Sequence, residues 1–312
     1  MPSIPPEARR QSNTLGIALM ATAVFFFAGA DTVAKFLAGA YHPLQVAGMR
    51  QVGLVGGVVL WLLLRGTAEL RTRQPKMQIL RGLCAGVSAS LFVISLRYIP
   101  LTDATTIAFV APFFVTILGA VLLKEPIGPR RWFAIVAGFS GTLVVMRPGF
   151  AAFHPAYLLV MGSAFLFAVR QVISRNLART ETTVATVAFT AGVSAALLGL
   201  VQPFVWEPIE TGHIALFVMY GAFAAMGEFL VIKALEIALA VVVAPLQYTM
   251  ILWTSFFGYS VFGHVPDGFT ILGSIIIMTS GGFTLWREHQ IGKRRAEEAR
   301  LSAEATPGSP QE

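Results

Sequence analysis

Ten long apolar runs, separated by short stretches that collect most of the charge, leave this chain few ways to fold. They cover residues 15–37, 43–64, 79–96, 102–123 and 132–146, then 157–173, 184–205, 214–232, 238–262 and 268–286. About 20 apolar residues in a helix cross a hydrocarbon layer of roughly 30 Å. A backbone in lipid must satisfy its own hydrogen bonds, which for single runs of this length means helices. The expected fold is therefore an all-α polytopic membrane protein with ten transmembrane helices. Charged residues make up 12% of the chain, half of the roughly 25% that a soluble surface carries. Arg9 and Arg10 precede the first run in a way that mimics a signal sequence. That run is long for a signal and similar segments follow it, so we expect a retained helix.

The net charge of +7 does not point to nucleic acid, because the basic residues sit in loops and tails rather than on one face. With the N-terminus inside, Arg65, Arg71, Arg73, Lys76, Lys124, Arg130, Arg131, Arg175, Arg179 and Lys233 fall on the inner side. The acidic stretch Trp206-Glu207-Pro208-Ile209-Glu210 falls outside, and only Arg97 and Arg147 run against the pattern. Basic loops mark the cytoplasmic side, so both termini are expected inside a bacterial inner membrane. Cys84 has no second cysteine to pair with and reads as a small core residue.

The chain also resembles itself. Ala111-Pro112 recurs as Ala244-Pro245, 133 positions later, each pair lying within an apolar run. Two units of five helices have an odd period, so the second enters the membrane from the opposite face. Such inverted repeats can present one central site to each side in turn. The expected organisation is a cytosolic tail at 1–14, repeats at 15–149 and 154–286, and a polar cytosolic tail at 287–312 that forms a short helix or stays disordered.

Buried charge supplies the candidate sites, since an ionised side chain at mid-membrane costs at least about 2.5 kcal/mol. Asp31 and Lys35 share one face of the first helix, and Arg50 with Gln51 lies in the second. They form either a salt-bridged cluster or a polar wall that gates or orients a substrate. Glu228 lies in an apolar helix with no basic residue within one turn. It is either a proton-coupling group or the partner of a cation on another helix, with Arg50 and Arg170 the obvious cations. Arg170 itself, near the inner boundary, reads first as a snorkelling side chain. Around the repeated prolines, Phe109, Pro112, Phe113 and Phe114 in one copy and Gln247, Tyr248 and Trp253 in the other are candidate substrate contacts.

The residues exclude several classes. There is no His-Glu-x-x-His or Gly-x-Ser-x-Gly motif, and the five histidines fall at helix ends or in loops. No metal site, catalytic group or cofactor is expected. No phosphate-cradling glycine loop is present, so a carrier of this type is not driven by ATP; a membrane enzyme or a channel is the alternative class.

The run Tyr98-Ile-Pro-Leu-Thr-Asp-Ala-Thr-Thr-Ile-Ala-Phe-Val-Ala-Pro112, Lys124-Glu125-Pro126 and the ending Arg147-Pro148-Gly149 resemble the EamA type of the bacterial drug/metabolite transporter superfamily. So do Asp31-x-x-x-Lys35 with Arg50, and Ala244-Pro245-Leu-Gln-Tyr248 followed by Val265-Pro266-Asp267. The resemblance covers residues 15–286 and implies a secondary transporter of a small molecule working by alternating access. Members of that superfamily import riboflavin or S-adenosylmethionine, or export amino acids, metallophores and drugs. An aromatic pocket with a few polar groups suits a flat, polar-edged molecule, so riboflavin uptake is the leading expectation, followed by S-adenosylmethionine or an amino-acid-like metabolite.

Overall fold

The structure is a computed structural model that describes residues 6–66, 70–122, 128–149, 153–178, 180–238 and 240–304. Lys124-Glu125-Pro126 lies outside the described residues. Within them every regular element is helical. They run as α1 (Pro6–Ala40), α2 (Pro43–Arg65), α3 (Pro75–Leu96), α4 (Leu101–Ala108), α5 (Ala111–Leu122) and α6 (Pro129–Met146). There follow α7 (Ala156–Leu177), α8 (Thr183–Val205), α9 (Ile214–Ile237), the short α10 (Ala240–Val243), α11 (Met250–Phe262) and α12 (Gly268–Glu304).

The repeated prolines break their helices. Pro112 has no N–H to donate and its ring crowds the carbonyl four residues back, so the backbone departs from the helix at Phe109 and Val110, between α4 and α5. Pro245 opens a 3-10 turn, Ala244–Thr249, that joins α10 to α11. The ten apolar runs therefore do not all become unbroken helices. Among the described residues, seven helical stretches, counting the interrupted Leu101–Leu122 as one, are long and apolar enough to cross a membrane, and Gly268–Thr284 is a shorter apolar one. The polar stretch after the last run continues α12 as helix to Glu304.

The outer surface is greasy, as lipid contact requires: Phe204 is 86% exposed and Leu63 79%. Helix association in lipid lacks a strong hydrophobic drive and relies on close backbone approach and hydrogen bonds. Both occur. A Cβ on Gly53 of α2 would sit 2.4 Å from the Cα of Gly221 on α9, and one on Gly273 of α12 would sit 2.7 Å from the carbonyl oxygen of Gly141 on α6. Between α3 and α7, Ser88 donates to the carbonyl of Ser163 at 2.9 Å and Ser163 returns the bond at 2.8 Å.

Contacts between the two parts of the chain come in matched sets. If α1, α2, α3, α4–α5 and α6 are exchanged with α7, α8, α9, α10–α11 and α12, the contact α1 with α9 becomes α7 with α3. In the same way α2 with α9 becomes α8 with α3, and α1 with α11 becomes α7 with α5. The pairs α2–α8 and α6–α12 map onto themselves, and α4 meets α11 within the two broken units that exchange with each other.

Candidate functional site

A cavity of about 580 Å³ lies between α2 and α3 of the first part and α7, α8 and α9 of the second. Small side chains such as Gly57, Ala85, Ala191, Ala222 and Ala225 leave room along its walls. Its lining reaches the helix ends at Leu64, Thr183 and Glu236, and stops in mid-helix at Arg50 and Gln51. Beyond that point the helices close on a buried cluster that includes Leu37, Ala38, Val46, Ala47, Leu96 and Leu101. One end is a mouth and the other is sealed.

The chemistry of the cavity is set by four charged side chains from four helices: Arg50 on α2, Arg81 on α3, Arg170 on α7 and Glu228 on α9. Arg81 is almost fully buried. Its Nε donates to Ser174 Oγ at 2.8 Å, and its Nη1 donates to the Thr186 carbonyl at 3.1 Å and to Thr190 Oγ1. It is thus held in place by α7 and α8 together. Arg170 lies over the ring of Phe167, 4.6 Å from its centroid, and its buried Nε has no hydrogen-bond partner. Glu228 acts electrostatically on both Arg81 and Arg170, and Arg50 acts on Arg170 and on Asp31. Among the described residues, no ion pair or hydrogen bond occupies Glu228, Arg50 or the Arg170 side chain. Gln51 is buried and accepts from Ser194 Oγ at 3.1 Å. At the mouth, Lys233 donates to Glu236 at 2.6 Å and lies over the ring of Trp61.

The sealed end is rich in polar ties. Asp103 is 6% exposed; its carboxylate accepts from Tyr157 Oη at 3.0 Å and from Thr270 Oγ1 at 2.8 Å. The Lys35 amine donates to the carbonyls of Leu96 and Ile99, at 2.8 and 2.6 Å, satisfying backbone acceptors at the end of α3. Gln45 exchanges two bonds with the backbone of Glu207, 2.8 and 2.9 Å, and Arg147 pairs with Asp267.

Of the residues singled out from the sequence, Arg50, Gln51, Glu228 and Arg170 meet at the cavity. Asp31 is not in the cavity lining but feels the charge of Arg50, whereas the Lys35 amine goes to the carbonyls at the α3 terminus. The aromatic candidates do not line this cavity. Phe109 and Tyr248 bring the two helix breaks together, ring centroids 4.9 Å apart. Phe113 is fully buried over Gly138, where an added Cβ would sit 2.0 Å from its ring, and Pro112 is half-buried beside it. Trp253 packs on Phe25 at 5.0 Å, and Gln247 is exposed. Two polar centres were missed. Arg81 lies close to a basic loop and reads as its flank, and Asp103 lies at a helix start. What marks Arg81 in the sequence is Gln78 one turn before it: both are buried on one face of α3.

A helical membrane protein with a largely apolar cavity that holds four charged side chains between two similar parts, sealed at one end, is built like a carrier of small molecules. The comparisons agree. The EamA-like transporter family profile matches residues 14–147 and again 154–286, so the chain belongs to the EamA-like transporter family. It is 28% identical over 262 residues to an S-adenosylmethionine uptake transporter of Rickettsia prowazekii (strain Madrid E), covering 83% of this chain and 88% of that one. It is also 28% identical over 294 residues to a riboflavin transporter of Vibrio cholerae, covering 90% and 96%. A pseudopaline exporter of Pseudomonas aeruginosa is 24% identical over 271 residues, covering 85% and 94%. A solved crystal structure shares the fold with a TM-score of 0.57 at 19% identity, covering 89% of this chain and 99% of that one.

Proposed function

We propose that this protein is a secondary carrier that moves a small, carboxylate-bearing, amino-acid-like metabolite across the bacterial inner membrane by alternating access. The observation that carries this reading is the charged cavity between the two parts, open at one end and sealed at the other. In this reading there are ten spans, α4–α5 and α10–α11 each forming one broken span and α6 completing the set. Residues 15–149 and 154–286 form inverted halves. The matched contacts and the two proline breaks support that arrangement, and the basic residues around the mouth support a cytoplasmic opening with both termini inside. Reporter fusions after the loop at Arg71, in the 207–210 loop and at the C-terminus test it: the first and last should report the cytoplasm and the second the periplasm.

Two arginines with unfilled donors favour a carboxylate over a neutral ring, and the S-adenosylmethionine carriers among the relatives handle a metabolite with an amino-acid group. Riboflavin is the second reading, supported by the relatives named for it and by the Phe109–Tyr248 pair. Counterflow of labelled amino-acid-like metabolites (S-adenosylmethionine, S-adenosylhomocysteine and glutamate) and of labelled riboflavin in proteoliposomes separates the two, and absence of saturable counterflow for any amino-acid-like or flavin solute would count against a carrier. Glu228 is the group proposed to couple transport to protons. Glu228→Gln should then lose accumulation driven by a pH gradient and keep exchange; accumulation that survives removes Glu228 from that role.

A further inference from the structure

The charges around the cavity do not cancel. Arg50, Arg81 and Arg170 line it, against Glu228, with Asp31 outside the lining but within the electrostatic reach of Arg50. Lys233 and Glu236 at the mouth neutralise each other. Three guanidiniums against two carboxylates leave an excess positive charge, and arginine cannot shed its proton to relieve it. An uncompensated charge away from water is costly, and a counter-charge brought by a ligand relieves that cost. Arg81 is already engaged by Ser174, Thr186 and Thr190, so it contributes field rather than free donors. Arg170 and Arg50 both line the cavity, and among the described residues neither side chain has an ion pair or hydrogen bond.

We infer that the cavity selects a net-anionic metabolite, whose carboxylate or phosphate is taken by Arg170 and Arg50 while Glu228 receives any ammonium group. This rests on the carrier reading above and narrows it. It also sets this chain apart from a carrier of S-adenosylmethionine itself, whose ammonium and sulfonium outnumber its single carboxylate. A net cation would add to the charge the cavity already carries.

The test uses the full-length protein in lipid nanodiscs and three probe pairs that change charge with little change of shape: S-adenosylhomocysteine against S-adenosylmethionine, flavin mononucleotide against riboflavin, and glutamate against glutamine. The more anionic member of each pair that binds should do so roughly tenfold more tightly, the size expected for a hydrogen bond between charged groups. Arg170→Gln should erase most of that preference and Arg170→Lys should keep part of it, with melting temperature checked for each variant. Equal or tighter binding of the less anionic members, or no saturable binding by any of the six, overturns the inference. Counterflow with the same probes keeps the two readings apart. Transport of riboflavin or S-adenosylmethionine without a charge preference leaves the carrier standing and removes the anionic site. Tight binding of an anionic probe with no counterflow keeps the site and removes the carrier.

Discussion

Asp267 does two things where α6 ends and α12 begins, and two substitutions separate them. Its Oδ1 accepts from the backbone N–H of Thr270 at 2.9 Å, capping α12, and its Oδ2 accepts from the guanidinium of Arg147. Asparagine caps a helix about as well as aspartate, so Asp267→Asn keeps the cap and removes the charge, while Asp267→Ala removes both. The Asp267 side chain is half exposed, so the ion pair contributes at most about 1 kcal/mol; the lost cap adds about 1 kcal/mol more. Thermal unfolding in nanodiscs should rank wild type above the Asn variant and the Asn variant above the Ala variant, in nearly equal steps. Arg147 ends α6 in the left-handed region at φ 48°, a conformation that costs a non-glycine residue about 1–2 kcal/mol. Arg147→Gly should therefore lose the pair, shed the strain and melt close to wild type. The pH dependence follows from the carboxyl. Partial burial pushes its pKa up, but hydrogen bonds from Thr270 and Arg147 outweigh burial and hold it below the usual carboxylate range. A depressed carboxylate contributes its stability above the unfolded value of about 3.9 and loses it as pH falls through the folded value. The gap between wild type and Asp267→Asn should be flat at neutral pH and close on acidification. Equal melting of the Asn and Ala variants, or a gap that survives strong acid, would refute the reasoning.

Three further outcomes follow from the packing. Tyr157→Phe and Thr270→Val each remove a donor from the buried Asp103 carboxylate, and each should cost about 1–3 kcal/mol in thermal unfolding; losses below 0.5 kcal/mol, about the scatter of a neutral surface change, would mean that water takes their place. Gly53→Leu should abolish folded protein on size-exclusion chromatography because the position abuts the α9 backbone, whereas Gly56→Leu, three residues on and open, should be tolerated. Asp31→Asn combined with Arg50→Gln should show a coupling above about 0.5 kcal/mol, while Lys35→Met, whose amine serves backbone carbonyls instead, should add independently to either.

Much of the architecture was legible in the sequence because hydropathy answers to lipid directly. The two proline breaks were not foreseen: Pro112 and Pro245 lie inside continuous apolar runs, and hydropathy does not register a missing N–H. Helix ends were less legible: α9 runs to Ile237 rather than 232, and α3 starts at Pro75 rather than 79, because charged residues end an apolar run without ending a helix. The site was half legible. Arg50 and Glu228 stood out as charges in apolar surroundings, with Arg170 as a cation that could answer Glu228, but the sequence did not show that Arg81 joins them. That depends on which sides of α3 and α7 turn inward. The aromatic residues near the prolines lie away from this cavity, because proximity to a break says nothing of which way a side chain turns, and Phe113 fills the space over Gly138.

The glycine crossing of α2 and α9 has a mechanical consequence. With backbone against backbone at Gly53 and Gly221, no side chains interlock there, so the two helices can roll about the crossing while neighbouring side chains resist sliding. Gly53 lies next to the closed limit of the cavity, and from it α2 extends about 18 Å to its end at Arg65, taking 1.5 Å per residue. A tilt of about 10° about that bearing moves the lip by roughly 3 Å over such an arm, comparable to the width of a water molecule. A small change at the crossing is thus geared into a large change at the entrance, and the residues that set the gearing are the two with no side chain.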